Sequence, residues 1–321
     1  MRQSDRASAV IAALVVTHNR LDKLQETVRR LLDEALDHVV IFDNASDDGT
    51  GDWLRNLDDP RLSVVFHSKN SGGAGGFSLG LRHVVQRFDP DWVVVMDDDG
   101  RPCAGAIAAF RDLSPGQWDA VGAAVLTPDG TVCEMNRPYR NPFWHIPEFL
   151  RTLRRGRRGF HLPDAAYAPD AGPMAVDMAS FVGLFLSRDA IRRAGFPHAG
   201  LFIYGDDQLY TLTMRRKGLR LGFEPLVRFE HDTASIQGNT LILNPIWKVY
   251  YMHRNALLAY RVAAGVWFWP LLPVLALKWR RQAGRYGDQA GLYRRILRVA
   301  MRDGLAGRLD RPHDEVVRLA R

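Results

Sequence analysis

Apolar runs and helical periods alternate over the first 125 residues of the chain. Val10–Val16 is an unbroken apolar run and predicts a buried strand. Leu21, Leu24, Val28, Leu31 and Leu32 recur at helical spacing and predict a helix over 21–32. Val39–Phe42 predicts a second strand ending at Asp43-Asn44, and Asp47-Asp48-Gly49-Thr50 reads as a turn that caps a helix. Leu62–Phe66 predicts a third strand, Gly75–Phe88 a helix and Trp92–Met96 a fourth strand. This alternation belongs to an α/β fold, with a mostly parallel central sheet and helices on both faces.

The pattern weakens between Pro138 and Pro173, where only Phe149–Leu153 keeps a period. A segment of that length without structure reads as a long loop over the active face. Patterning returns at Ala175–Ser187 and Asp206–Lys217. From Pro245 the character changes. Ala256–Leu277 is rich in apolar residues, but Arg261, Pro270 and Pro273 leave it shorter than a spanning helix needs. Trp267 and Trp269 lie inside it, and Lys278, Arg280 and Arg281 follow, which suits contact with a membrane surface through 256–285. A helix packed on the rest of the chain, or a dimer interface, accounts for the same pattern. The division expected is one domain over 1–240, split near 130 with the loop 138–173 in its second half, and a basic helical region over 241–321.

Composition narrows the choice of partner. The 321 residues are 46% hydrophobic with a formal net charge of +7, which is compatible with nucleic acid, an anionic membrane or a phosphorylated substrate. No nucleic-acid module is recognisable, so nucleic acid is not expected. Two cysteines, Cys103 and Cys133, imply no disulfide framework and fit a reducing cytosol. The apolar run after the N-terminal arginines meets no cleavage site and reads as the first strand rather than a signal peptide. The location expected is cytoplasmic, peripheral on the inner face of the membrane. A homo-oligomer stays open.

The chemistry concentrates at predicted strand ends. Asp97-Asp98-Asp99 closes the fourth strand. Three adjacent carboxylates repel one another there unless a cation offsets them, and hard oxygen donors suit Mg2+ or Mn2+. A solvated acidic turn is the bland alternative. Thr17-His18-Asn19-Arg20 ends the first strand and Asp43 the second, where polar groups can hold a base or ribose, although a helix cap also explains Thr17. Lys69–Phe77 holds four glycines, which permit close backbone approach to a ligand but match neither standard phosphate loop. Asp206-Asp207 opens a helix, where one carboxylate can serve as general base, and His231 is a plausible metal ligand. Trp144, His145 and Tyr204 can stack on sugar rings or pack a loop, and Arg151–Arg158 can face an anionic acceptor or water.

The ordered set Val15-Val16-Thr17-His18-Asn19-Arg20, Asp43-Asn44-Ala45-Ser46, Asn70–Phe77, Asp97-Asp98-Asp99, Gly205-Asp206-Asp207 and His231 resembles the inverting glycosyltransferases of family 2, with the GT-A fold. The resemblance spans about 9 to 235 and continues more weakly through Tyr250–Asn255. The segment Asn70–Phe77 followed by Asp97-Asp98-Asp99 looks closest to bacterial galactofuranosyltransferases and rhamnosyltransferases. The resemblance implies an enzyme that moves a sugar from a nucleotide sugar, UDP-galactofuranose first and dTDP-rhamnose second, to a glycan or lipid-linked acceptor in surface-polysaccharide synthesis. Thr17, Arg20, Asp43, Asn70, Gly73 and Asp98 would meet the donor, and Asp97, Asp99 and His231 a divalent ion. Asp207 would be the catalytic base, beside Asp206 where the family more often has Glu. A nucleotidyltransferase, or a non-catalytic scaffold for anionic lipid, remain the rivals.

Overall fold

The computed structural model describes residues 9–113, 115–233 and 242–321. The first eight residues, the end of the family resemblance near 235 and the domain boundary at 240 lie outside them.

Strand β1 (Ile11–Thr17) and helix α1 (Leu21–Leu32) match the expected apolar run and stripe. Then come β2 (His38–Asp43), α2 (Thr50–Arg55), β3 (Leu62–Phe66), α3 (Gly72–Phe88), β4 (Trp92–Asp97), the short β5 (Gly100–Pro102), α4 (Ala106–Asp112) and β6 (Ala120–Leu126). The Asp47–Thr50 turn caps as anticipated, with Asp48 Oδ1 accepting the Thr50 N–H at 3.1 Å. Helix α3 begins three residues earlier than its apolar period suggests, so the glycine-rich segment forms the helix's first turns rather than a loop.

The stretch expected as a long loop is ordered by buried anchors. Tyr139, Leu162, Ala166 and Tyr167 are buried, and helix α5 (Ile146–Arg155) stands between them. After it follow β7 (Met174–Val176), β8 (Leu184–Ser187), α6 (Arg188–Ala194), α7 (Asp206–Arg216) and the long β9 (Leu221–His231).

The sheet runs β3-β2-β1-β4-β8-β6-β9-β5, with β7 also on β9. Its first four strands are parallel, as expected. The second half is mixed, because β8 runs antiparallel to both β4 and β6, and β9 is parallel to β6 but antiparallel to β5 and β7. The β6–β9 register slips near Pro225, a residue with no N–H for the ladder. Alternate residues of β1 feed opposite cores. Ala12, Leu14 and Val16 pack with Phe77, Leu81 and Val84 of α3, while Ile11, Ala13 and Val15 pack with α1 and α4.

The C-terminal region is a helical layer of α8 (Lys248–Ala264), α9 (Phe268–Gln282), α10 (Ala290–Ala306) and α11 (His313–Leu319). Tyr250, Tyr251, Leu257, Phe268, Trp279, Tyr293 and Ile296 form its core. The stretch Lys248–Ala306 is long and apolar enough to cross a membrane by length and composition. Kinks at Gly265 and Gly287 divide it in this fold.

Candidate active site

Register brings the acidic run to the first strand. Val16 pairs with Asp97 across β1 and β4, so the carboxyl ends of both strands open on one cavity of about 630 Å³. The Thr17 hydroxyl donates to Asp98 Oδ2 at 2.9 Å, and the Thr27 hydroxyl donates to the Asp98 carbonyl at 2.7 Å. Arg20 reaches Asp98 at 3.5 Å and pairs closely with Asp99.

A second register carries His231 to the same rim. Gly100 pairs with His231 across β5 and β9, and the Asp232 N–H donates to the Asp99 carbonyl at 2.9 Å. His231 Nε2 consequently lies 3.2 Å from Asp99 Oδ1. Its Nδ1 faces Asn136 Oδ1 at 2.7 Å, and the Asn136 amide donates to Ser180 at 2.9 Å. Nδ1 therefore carries a proton, and Nε2 meets a carboxylate. Only a second proton or a bound cation satisfies that contact.

The titration of the cluster follows. Burial, then Asp99 and Asp98, push Asp97 well above the usual carboxylate range. Burial raises Asp98 to about 7, opposed by Arg20 and aided by Asp99. Burial works against the charge on Asp99, yet His231 and Arg20 hold it low. Burial likewise opposes charge on His231, but its bond to Asp99 lifts it to about 10. The donor set of Asp97, Asp99 and His231 has the chemistry of a divalent-cation site. Among the described residues no three such groups already stand in a closed ligand arrangement, and Arg20 now occupies Asp99.

Asp206 and Asp207 open α7 and line the same cavity. Both lie deep in the fold although the cavity wets them. Burial raises both, and the Asp207 charge raises Asp206 further. The Gln208 N–H donates to Asp207 Oδ1 at 2.6 Å.

The loop ahead of this pair is strained. Phe202 and Tyr204 have φ of 65° and 70°, where non-glycine residues seldom sit. Helix α8 holds it there, with the Asn255 amide donating to the carbonyls of Leu201, Ile203 and Tyr204 at 3.0, 2.9 and 2.8 Å. The fully buried Arg254 donates to the Gly200 and Leu201 carbonyls at 2.7 and 3.0 Å.

The cavity gathers most of the expected residues: Thr17, Arg20, Asn70, Gly73, Asp97, Asp98, Asp99, Asp206, Asp207 and His231 all line it. Asp43 does not. It is buried, and its Oδ1 accepts the Ser46 N–H at 3.0 Å. Its neighbour Asn44 lines the cavity and ties β2 to α3 through Ser71 and Gly72. Trp144 and His145 are also absent from the lining; Trp144 packs under Arg216, and His145 binds Asp177 at 2.7 Å. Tyr204 is present, with Phe202, Trp247 and His313. His313 stacks on Phe202 with centroids 4.2 Å apart. The sequence gives no hint of His313 or Asn136, whereas Arg254 and Asn255 fall in the Tyr250–Asn255 stretch that weakly extends the resemblance.

Residues 12–165 match the family described as Glycosyl transferase family 2. The chain belongs to this family, and it is a glycosyltransferase. The galactofuranosyltransferase GlfT1 of Mycolicibacterium smegmatis is 29% identical over 219 residues, which cover 66% of this chain and 68% of that protein. A mannosyltransferase of Pyrobaculum calidifontis, PcManGT, solved with GDP-Man and Mn2+, shares the fold at a TM-score of 0.52 and 15% identity, covering 95% of this chain and 88% of its own. GalNAc-T7, solved with UDP, GalNAc and Mn2+, also superposes at 0.52 with 13% identity over 71% of this chain. The family 2 chain spans only 44% of GalNAc-T7. These likenesses establish the GT-A type of fold.

Proposed function

We propose that this family 2 enzyme transfers galactofuranose from UDP-galactofuranose, with inversion, to a glycan or lipid-linked acceptor in surface-polysaccharide synthesis. The observation that carries the proposal is convergence. The acidic run, His231, Asp206-Asp207, Thr17, Asn70 and Gly73 all line a single cavity. The likeness to GlfT1 supports the choice of sugar. Rhamnose from dTDP-rhamnose is the second donor to test.

Thr17, Asn70 and Gly73 hold the nucleoside side, with Arg20 and Asp98 beside it. Gly73 is suited to a close approach because a side chain added there would meet nothing within 4 Å. Asp97, Asp99 and His231 would hold Mn2+ or Mg2+. A divalent ion bound there neutralises charge on the departing diphosphate. Asp207 takes the proton of the acceptor hydroxyl as that oxygen bonds to the anomeric carbon. The bond from that carbon to the diphosphate breaks on the opposite face, and one displacement inverts the centre. A raised carboxylate is the stronger base for this step. Asp206 stands beside the base with its own carboxyl raised by burial and by the Asp207 charge, and Phe202, Tyr204, Trp247 and His313 offer ring faces to the acceptor.

The catalytic unit corresponds to about 1–240 and the helical region to 241–321, the latter making peripheral contact with the inner membrane face through 256–285. Exposed Val266, Trp267, Trp269, Val274 and Leu277 support that contact. The deciding experiment is a panel of nucleotide sugars with Mn2+, scored for release of the nucleoside diphosphate and for product. UDP release from UDP-galactofuranose alone is the expected result; turnover of dTDP-rhamnose instead reassigns the donor, and pyrophosphate release ends the reading.

A further inference from the structure

Helix α5 carries a core-type stripe on its solvent side. Ile146, Phe149, Leu150 and Leu153 stand at i, i+3, i+4 and i+7, the spacing that ordinarily faces a hydrophobic interior. Here Ile146 is 77% and Leu153 70% exposed, and Phe149 and Leu150 are exposed as well. The other side of the helix is fastened by a charge. Buried Glu148 takes Arg140 at 3.1 Å and Arg151 at 2.7 Å. The stripe is therefore held outward by the fold.

Cations surround the stripe. Arg154, Arg155, Arg157 and Arg158 are exposed at and beyond the end of the helix, and residues 149–163 contain no Asp or Glu. The approach to α5 is pinned to the end of α8. The Asn141 amide donates to the Ala263 carbonyl at 2.9 Å, and Arg216 donates to the Val262 carbonyl at 3.1 Å while lying over the Trp144 ring. A few residues past these anchors the chain exposes Ile146 on one side and Val266 and Trp267 on the other. The two apolar sets thus leave one junction. Residues 233–287 also lack any acidic residue, and Lys278, Arg280 and Arg281 are exposed.

We infer that α5 is a second membrane-docking element, lying flat on an anionic lipid surface beside the Val266–Leu277 face. Its four apolar side chains enter the boundary between headgroups and acyl chains, and its arginines meet lipid phosphates. Charge selects this occupant over a second copy of the chain, since a self-complementary pairing would set one arginine cluster against its duplicate. The helix also has a link to the site. Tyr139, seven residues before Ile146, accepts a hydrogen bond from Gln208, the residue after Asp207, at 2.7 Å.

The inference stands apart from the transfer reading, and its test uses neither donor nor metal ion. The full chain is sedimented with vesicles of phosphatidylcholine and phosphatidylglycerol, or of phosphatidylcholine alone. Binding to the anionic vesicles is expected, weakening as salt rises. The double variant Leu150→Asp with Leu153→Asp should lose at least about tenfold in vesicle affinity. Arg154→Ser with Arg155→Ser should weaken binding and flatten its salt dependence. Both variants alter exposed positions, so the thermal midpoint should match the parent. Unchanged vesicle binding in the leucine variant overturns the inference, and so does equal binding to neutral vesicles. A dimer of the parent chain that the leucine variant makes monomeric also overturns it, in favour of self-association.

Discussion

The two acidic parts of the cavity lining, the rim of the acidic run with His231 and the rim of Asp206-Asp207, are held in different ways. At the acidic run, regular hydrogen-bond ladders do the positioning: parallel β1 and β4 align Thr17 with the acidic run, and antiparallel β5 and β9 deliver His231. At the other rim, Asp206 and Asp207 follow a loop in unfavourable backbone conformations, and buried Arg254 and Asn255 of the helical layer keep it there. Ladder-held groups are fixed by many interchangeable bonds. Loop-held groups depend on a few buried side chains, each hard to replace. Damage on one rim should therefore register as lost nucleotide or ion binding, and damage on the other as lost turnover.

The sharpest contrast is Asp207→Asn. Turnover should fall by about 10²–10⁴-fold, the range for losing a general base, while UDP affinity and melting temperature stay put. Steady-state kinetics beside calorimetric UDP titration reads both, and a variant keeping more than a tenth of the turnover would place the base elsewhere. On the opposite rim, Asp99→Ala and His231→Ala should each weaken Mn2+-supported UDP binding by about 10–100-fold, as losing an ion ligand's contacts does. Chelation of the parent enzyme should reproduce that loss; UDP binding indifferent to both would leave the carboxylates without an ion.

Asn255→Ala breaks the comparison if the clamp is idle. Three loop carbonyls lose their donor, which should cost about 1–3 kcal/mol of stability. A drop of roughly tenfold in kcat with donor KM unchanged is expected, in keeping with the sensitivity of turnover to small misplacement. Equal loss in KM and kcat would mean general unfolding instead. Acidity gives a gentler test. Burial lifts Asp207, and the base must be unprotonated to work, so kcat should fall as pH drops through an inflection above the ordinary carboxylate range. An inflection near pH 4 would detach the base from that burial.

The smallest effects separate two neighbouring glycines of α3. A side chain at Gly76 would meet Val16 Cγ1 at 2.4 Å, so Gly76→Ala should destabilise by about 1–3 kcal/mol through overpacking. Gly73→Ala, with open space ahead of it, should leave the melting temperature nearly unchanged and weaken UDP binding only.

How legible each rim was follows from the same distinction. Strand ends announce themselves by composition: an apolar run stopped by Asp97-Asp98-Asp99 has few other readings, and the first four strands and α1 emerged from periodicity alone. The glycines were conspicuous but misleading about form. Close packing against Val16, and against the Phe202 carbonyl at Gly72, explains them inside a helix, where propensity argues for a loop. Asp43 ends its strand as expected and holds the Ser46 N–H, while the next residue, Asn44, is the one that lines the cavity, a division that strand-end position alone does not reveal. The ordered stretch from Pro138 to Pro173 was hidden because scattered tertiary anchors such as Tyr139 and Tyr167 carry no period. His313 reaches the cavity from the far end of the chain by helix packing, which local pattern cannot register.

The pairing of β5 with β9 has an evolutionary corollary. Asp99 and His231 are 132 residues apart, yet only a few backbone bonds unite them. Between those anchor points β6 and β8 are internal strands of the sheet, whereas the stretch from 127 to 173 that carries α5 leaves β6 and returns at β7. A stretch of that kind can lengthen or shrink so long as its two exits return to the same strands.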